Sequence, residues 1–143
     1  MPTLNPYLNF NGNTKEAFDF YKSVFGGDFA NVMKFSEVPP GEYAPEPGEA
    51  DLIMHIALPI GKNTILMGSD VPEKYGKAIT GTNCHISVST DSEAETDKIF
   101  NGLSAGGRVT MPLAKTFWGS YFGMLIDKYE IRWMVSYDYN RGQ

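Results

Sequence analysis

Two stretches with helical spacing, each closed by a glycine pair, lie about 80 residues apart in a chain of 143, and this repetition constrains the fold more than any other feature. In the first half, residues 7–11 alternate polar and apolar side chains as a half-buried strand does, and Gly12-Asn13 ends them. Asn13 or Thr14 can then cap a helix over about 14–25, with Glu16 at capping-box distance from Asn13. Ala17, Phe18, Tyr21, Val24 and Phe25 fall on one face of it, and Gly26-Gly27 stops it. Strands are predicted over 28–36, 51–59 and 64–68, the last two joined by a turn at Gly61-Lys62-Asn63. The second half repeats the order. A strand over 84–89 precedes a helix over about 92–104, capped by Thr90 with Glu93 and carrying Ile99, Phe100 and Leu103 as its buried stripe. Gly106-Gly107 ends that helix, and strands over 108–113, 120–126 and 131–137 follow.

Strand, helix and three strands, stated twice, predict an α+β domain of two βαβββ modules, about 1–70 and 80–143. Their mixed sheets are expected to curve into a cup with both helices on the outer faces. A single domain also suits a chain of this length. The segment 37–50, with four prolines and four glutamates, is too broken to be an element. It reads either as an ordinary solvated excursion or as a functional lid.

Side chains alternate across a strand, so each strand gives one row to its helix and one to the opposite face. In the third strand the apolar row Leu52, Met54, Ile56 and Leu58 belongs under the helix, which sends Ile53, His55 and Ala57 to the other side. In the first strand of the second half, Cys84, Ile86 and Val88 take the helix, leaving His85, Ser87 and Ser89 opposite. The same rule frees Tyr7 and Asn9 from the first strand and Arg132, Met134 and Ser136 from the last. The only two histidines therefore face away from the helices and are expected to line one cavity. The candidate pocket is Tyr7, Asn9, His55, His85, Trp118, Tyr121 and Met134, with His55 and His85 the candidates for any catalytic role. Either histidine can equally be a satisfied structural residue of its sheet, and Trp118 and Tyr121 can be simple packing aromatics. Glu93 and Asp97 share a helix face and read as a solvated surface pair.

Composition narrows the function. A net charge of −5 with no basic stripe argues against a phosphate-backbone partner, because nucleic-acid affinity comes from lysine and arginine neutralising phosphates. The first ten residues lack a basic region followed by an apolar run, and no stretch approaches ~18 apolar residues, so neither export nor membrane spanning is expected. The single cysteine, Cys84, has no intrachain partner, which suits a reducing, cytoplasmic setting. Dinucleotide and P-loop glycine motifs, H-E-x-x-H and zinc-spaced cysteine pairs are all missing.

The runs Pro6-Tyr7-Leu8-Asn9-Phe10 and Glu16-Ala17-Phe18-Asp19-Phe20-Tyr21, then Phe25-Gly26-Gly27, Met54-His55, Phe117-Trp118-Gly119 and residues 127–133, resemble the vicinal oxygen chelate superfamily. That superfamily contains glyoxalase I, bleomycin-resistance proteins and extradiol dioxygenases, and the chain is most similar to its PhnB-like branch. The resemblance implies that metal-using members take one ligand from the first and one from the last strand of each module, giving up to four His, Glu or Gln side chains. Here those places fall on Asn5-Pro6-Tyr7, on Leu66 or Met67, on His85 and on Met134. Only His85 is a usual ligand, and thioether sulfur is a poor partner for hard cations. The resemblance thus implies a protein that holds a small organic molecule in the cup, with no complete metal site and no cofactor, as a homodimer. The alternative is a metal-dependent glyoxalase or dioxygenase-type enzyme acting on vicinal oxygens, with a divalent ion at His85 and His55 as a second nitrogen donor. Whether the chain catalyses any reaction stays open at this level.

Overall fold

The computed structural model describes residues 2–140, and the chain divides between residues 79 and 80 into two compact units. The first contains β1 (Tyr7–Phe10), α1 (Thr14–Phe25), β2 (Asn31–Lys34), β3 (Ile53–Ile60) and β4 (Thr64–Asp70). The second contains β5 (Ile86–Ser89), α2 (Glu93–Ser104), β6 (Arg108–Lys115), β7 (Ser120–Ile126) and β8 (Arg132–Asp138). The sheets have the same order, β1-β4-β3-β2 and β5-β8-β7-β6. In each, the first strand pairs in parallel with the last and the remaining pairs are antiparallel. The chain is therefore built of two βαβββ modules, each a four-stranded mixed sheet carrying one helix. Among the described residues no helix is long and apolar enough to cross a membrane.

Each helix buries the stripe that its periodicity sets. In the first unit Ala17, Phe18 and Tyr21 are wholly buried, and α1 lies on β3 and β4, whose Ile56, Leu58 and Leu66 share that core. Burial of aliphatic and aromatic side chains of this size stabilises by about 1.5–3 kcal/mol each. Gly68 on β4 lets the helix come close, since a Cβ there would stand 2.8 Å from both the Leu8 carbonyl oxygen and the Phe18 ring. In the second unit Phe100 and Leu103 meet Leu125, Trp133 and Val135, with Thr96 buried where an aliphatic residue would be usual.

Three expectations from the sequence need correction. The Asn13 side chain makes no cap hydrogen bond. Instead Asp70, at the end of β4, receives the Gly12 amide at 2.9 Å, the Thr14 amide at 3.1 Å and the Thr14 hydroxyl at 2.6 Å through one oxygen. In the second unit Ser92, not Thr90, caps α2 by accepting the Glu95 amide at 3.1 Å, and Glu95 in turn accepts from the Asp91 amide. Thr90 is buried and pairs with the Thr96 hydroxyl at 2.6 Å. Finally, β5 begins at Ile86, so Cys84 lies outside it and is exposed rather than packed against the helix.

Candidate functional site

In the first unit the open face, opposite α1, follows from the register. Ile56, Leu58 and Leu66 are on the helix side, so Tyr7, Met67, Ala57 and Asn31 form one row across the other face, and their Cα partners are in register strand by strand. The next row carries Asn9, Ser69, His55 and Met33. A bulge between Met33 and Lys34 lets Lys34 pair with Ile53 while Met33 pairs with His55, so Met54 is the extra residue. Alternation slips by one at that point. Ile53 goes into the core at 3% exposure, and Met54, assigned to the helix row from the sequence, is half-buried.

His55 keeps its expected side. The Tyr7 hydroxyl lies 3.4 Å from His55 Nδ1, and the two rings sit 5.8 Å apart, spanning β4 between them. Ser69 Oγ stands 3.4 Å from Asn9 Oδ1 as its donor. The face thus joins a tyrosine and histidine in contact, a serine and asparagine in contact, and the two thioethers of Met33 and Met67.

The second unit presents a different face. Met111 is opposite Met124, Met124 opposite Met134, and Met134 opposite Ser87, which places three thioethers side by side on the face away from α2. Ser89, Ser136 and Phe122 form the next row, and the Trp118 ring meets Phe122 at 5.8 Å. His85 is half-buried and immediately precedes β5, two residues before Ser87 and so in phase with it. All six methionines after Met1 thus sit in open-face rows or, for Met54, at the bulge beside one. Methionine is flexible and polarizable, and proteins use it where a surface must adapt to what it binds.

Tyr121 does not join that face. It is in phase with Gly123 and Leu125, on the helix side, and its hydroxyl donates to Asp97 at 2.6 Å. One turn away the Tyr139 hydroxyl donates to Glu93. Glu93 and Asp97, read from the sequence as a solvated pair, each hold a tyrosine against α2. The Glu93 carboxylate accepts only from the neutral phenol, so Tyr139 is pushed up from 10.0 to about 12. The contribution of this bond to stability is complete below about pH 10 and is lost as pH rises through about 12. An ultraviolet absorbance titration should show a late-ionising tyrosine that vanishes in Tyr139→Phe. Ionisation of Tyr139 near pH 10 would mean that the bond to Glu93 is not made in solution.

The positions that the resemblance assigns to metal ligands are differently engaged. Asn5 accepts the Ile65 amide at 2.9 Å through Oδ1, and Leu66 is in the core. Met67 and Met134 stand on the open faces, opposite Tyr7 and Ser87. Among the described residues no three His, Cys, Asp or Glu side chains come together in a cluster able to hold a metal ion. The donor set at these positions does not fit a hard divalent cation. Sequence reasoning missed Met67, Met111, Phe122 and Met124 as open-face residues, although strand register and alternation together point to all four.

Two βαβββ modules, each a four-stranded mixed sheet whose first and last strands pair in parallel, define a glyoxalase-like fold. Residues 3–135 match the Glyoxalase/Bleomycin resistance protein/Dioxygenase superfamily, and the chain belongs to it. It is 29% identical to protein YjdN of Escherichia coli (strain K12) over 142 residues, 93% of each chain. Among solved structures it is similar to protein PA1353 from Pseudomonas aeruginosa, at 38% identity and TM-score 0.82, covering 96% of this chain and 98% of that one. The PhnB protein from Bacillus cereus shares the fold at 24% identity and TM-score 0.73, covering 95% and 99%.

Proposed function

We propose that this chain binds a small organic molecule on its open faces and does so without a complete metal site. One observation carries the reading: of the places that the resemblance assigns to metal ligands, Leu66 or Met67 and Met134, Leu66 is in the core and the two methionines offer thioethers that suit apolar contact and not a hard cation. Tyr7, His55, Asn9 and Ser69 supply the polar contacts that orient a ligand in the first unit, and the Met111, Met124 and Met134 row supplies an adaptable apolar surface in the second. The Tyr7 and His55 pair also supports a second reading, as a metal-independent enzyme. With Nδ1–H donated to the Tyr7 oxygen, Nε2 of His55 is left as the acceptor that a general base requires. The exposed thiol of Cys84 fits a reducing cytoplasmic setting, and the family suggests a homodimer.

Calorimetric titration with Mn(II) and with Zn(II) should reveal no site tighter than roughly micromolar, about 8 kcal/mol of binding free energy. A stoichiometric nanomolar site lost in His85→Gln would overturn the metal-free reading and support a metal-dependent enzyme. Native mass spectrometry of protein purified without added metal should show the subunit count and any retained organic ligand. His55→Gln should leave the melting temperature nearly unchanged while weakening retention of that ligand. A large stability loss with retention intact would make His55 a structural residue.

A further inference from the structure

The first unit contains a hollow of about 420 Å³ beside its open face, within the size range of small-molecule sites. Its walls are Phe35, Tyr43 and Tyr75, with Val38, Met54 and Val71 between them, and Asn9, Ser69 and Asp70 add the few polar atoms. Asp70 is the one charged residue in the lining, and both its oxygens are occupied, by the Gly12 and Thr14 groups on one and by the Ile53 amide at 2.8 Å on the other. An ionised ligand would meet no free countercharge inside. Three aromatic rings and a thioether instead match the flat, polarizable faces of an aromatic molecule.

Most of the proline-rich segment 37–50 is exposed, but Val38 and Tyr43 turn inward from it to form one side of the hollow. The Tyr43 ring meets Phe35 at 5.1 Å, Lys74 Nζ lies 4.5 Å from the Tyr43 ring centre, and Glu49 accepts the Glu73 amide at 2.9 Å. Yet the Tyr43 hydroxyl and Glu49 Oε1 are buried without a partner among the described residues. Opening that side would hydrate both atoms, so the closed form is opposed by its own polar groups. An apolar occupant offsets that opposition by holding that side in place from within.

We infer that this hollow is a binding site for a small uncharged aromatic molecule, with segment 38–50 forming one side of it. The site shares Asn9 and Ser69 with the open face but needs neither Tyr7 nor His55. The test is calorimetry and amide hydrogen exchange on the full chain with 2-naphthol as the probe. Binding should saturate at one equivalent and slow exchange across 38–50 and 71–75. Tyr75→Ala, at a residue 67% exposed and so safe for folding, should weaken binding about 5-fold, the worth of one aromatic contact. Val71→Trp, which fills the hollow, should abolish it while thermal melting confirms that the chain still folds. Absence of saturable binding overturns the inference. So does binding that Tyr75→Ala leaves unchanged. Protection around Tyr7, Ala57 and Met67 with none across 38–50 or 71–75 would place the probe on the open face away from the hollow, overturning the hollow while leaving the proposed ligand-binding role intact.

Discussion

Asp70→Ala should destabilise the first unit by about 3–5 kcal/mol, measured as a fall in the urea midpoint followed by circular dichroism. The carboxylate is 3% exposed and accepts four hydrogen bonds. Three come from the start of α1 and one from the start of β3, so a single side chain ties the helix and two strands together. Alanine would leave those donors orphaned in the interior, each at a cost of about 1–3 kcal/mol before water or relaxation recovers part of it. The favourable interaction of an anion with the helix N-terminus would go as well. Asp70→Asn discriminates between charge and geometry. Its carbonyl can still serve Gly12 and Thr14, but its amide would face the Ile53 N–H donor to donor, for a loss of about 2 kcal/mol. An alanine variant within about 1 kcal/mol of the parent would show that the cap is dispensable, contrary to the geometry.

The reach of that cap explains what the sequence did and did not disclose. Helices and strands were legible because each needs only its own period: 3.6 for Ala17, Phe18 and Tyr21, and 2 for Trp133 and Val135. The duplication was legible because the period recurs in the same order. Asp70 was not, since it lies 56 residues from the helix start it caps and no local pattern joins the two. The bulge at Met54 was hidden for a related reason: it exists only relative to the partner strand, and the all-apolar run Leu52-Ile53-Met54 carries no mark of the slip. Tyr121 misled because Gly123 breaks the apolar row that would have revealed the helix-facing phase of β7. His55 and Asn9 face away from α1 as alternation predicts because the bulge falls before His55, and β1 and the rest of β3 alternate regularly. The hollow drew Phe35 and Tyr75 from single 3-10 turns and Tyr43 from irregular chain, all too short for a period to show, so these aromatics gave no signal.

Gly107→Ala should cost about 3 kcal/mol, although the residue looks from the sequence like half of an interchangeable helix stop. The structure separates the two glycines of that pair. Gly106 has φ of 77°, the left-handed conformation that lets the chain leave α2. Gly107 has no such angle, and its constraint is space. A Cβ there would collide with the Ile126 carbonyl oxygen and stand 2.8 Å from the carbonyl carbon and 2.9 Å from the Cα of Asp127. All three are backbone atoms, so no side chain can swing away to make room. The backbone they belong to is itself fixed: Asp127 is fully buried, accepts the Tyr129 and Ile131 amides at 2.7 and 3.1 Å, and takes the Trp133 indole N–H at 2.8 Å. A methyl group on Gly107 must therefore displace the turn that positions Trp133, the largest side chain of the second core. Tryptophan fluorescence during urea unfolding follows that core once the exposed Trp118 is silenced by Trp118→Phe. In that background Gly107→Ala should lower the midpoint and red-shift the folded-state emission, because Trp133 would gain contact with water. An unchanged midpoint with unshifted emission would mean that β6 can draw back from the turn at little cost, and that the glycine pair serves only to end the helix.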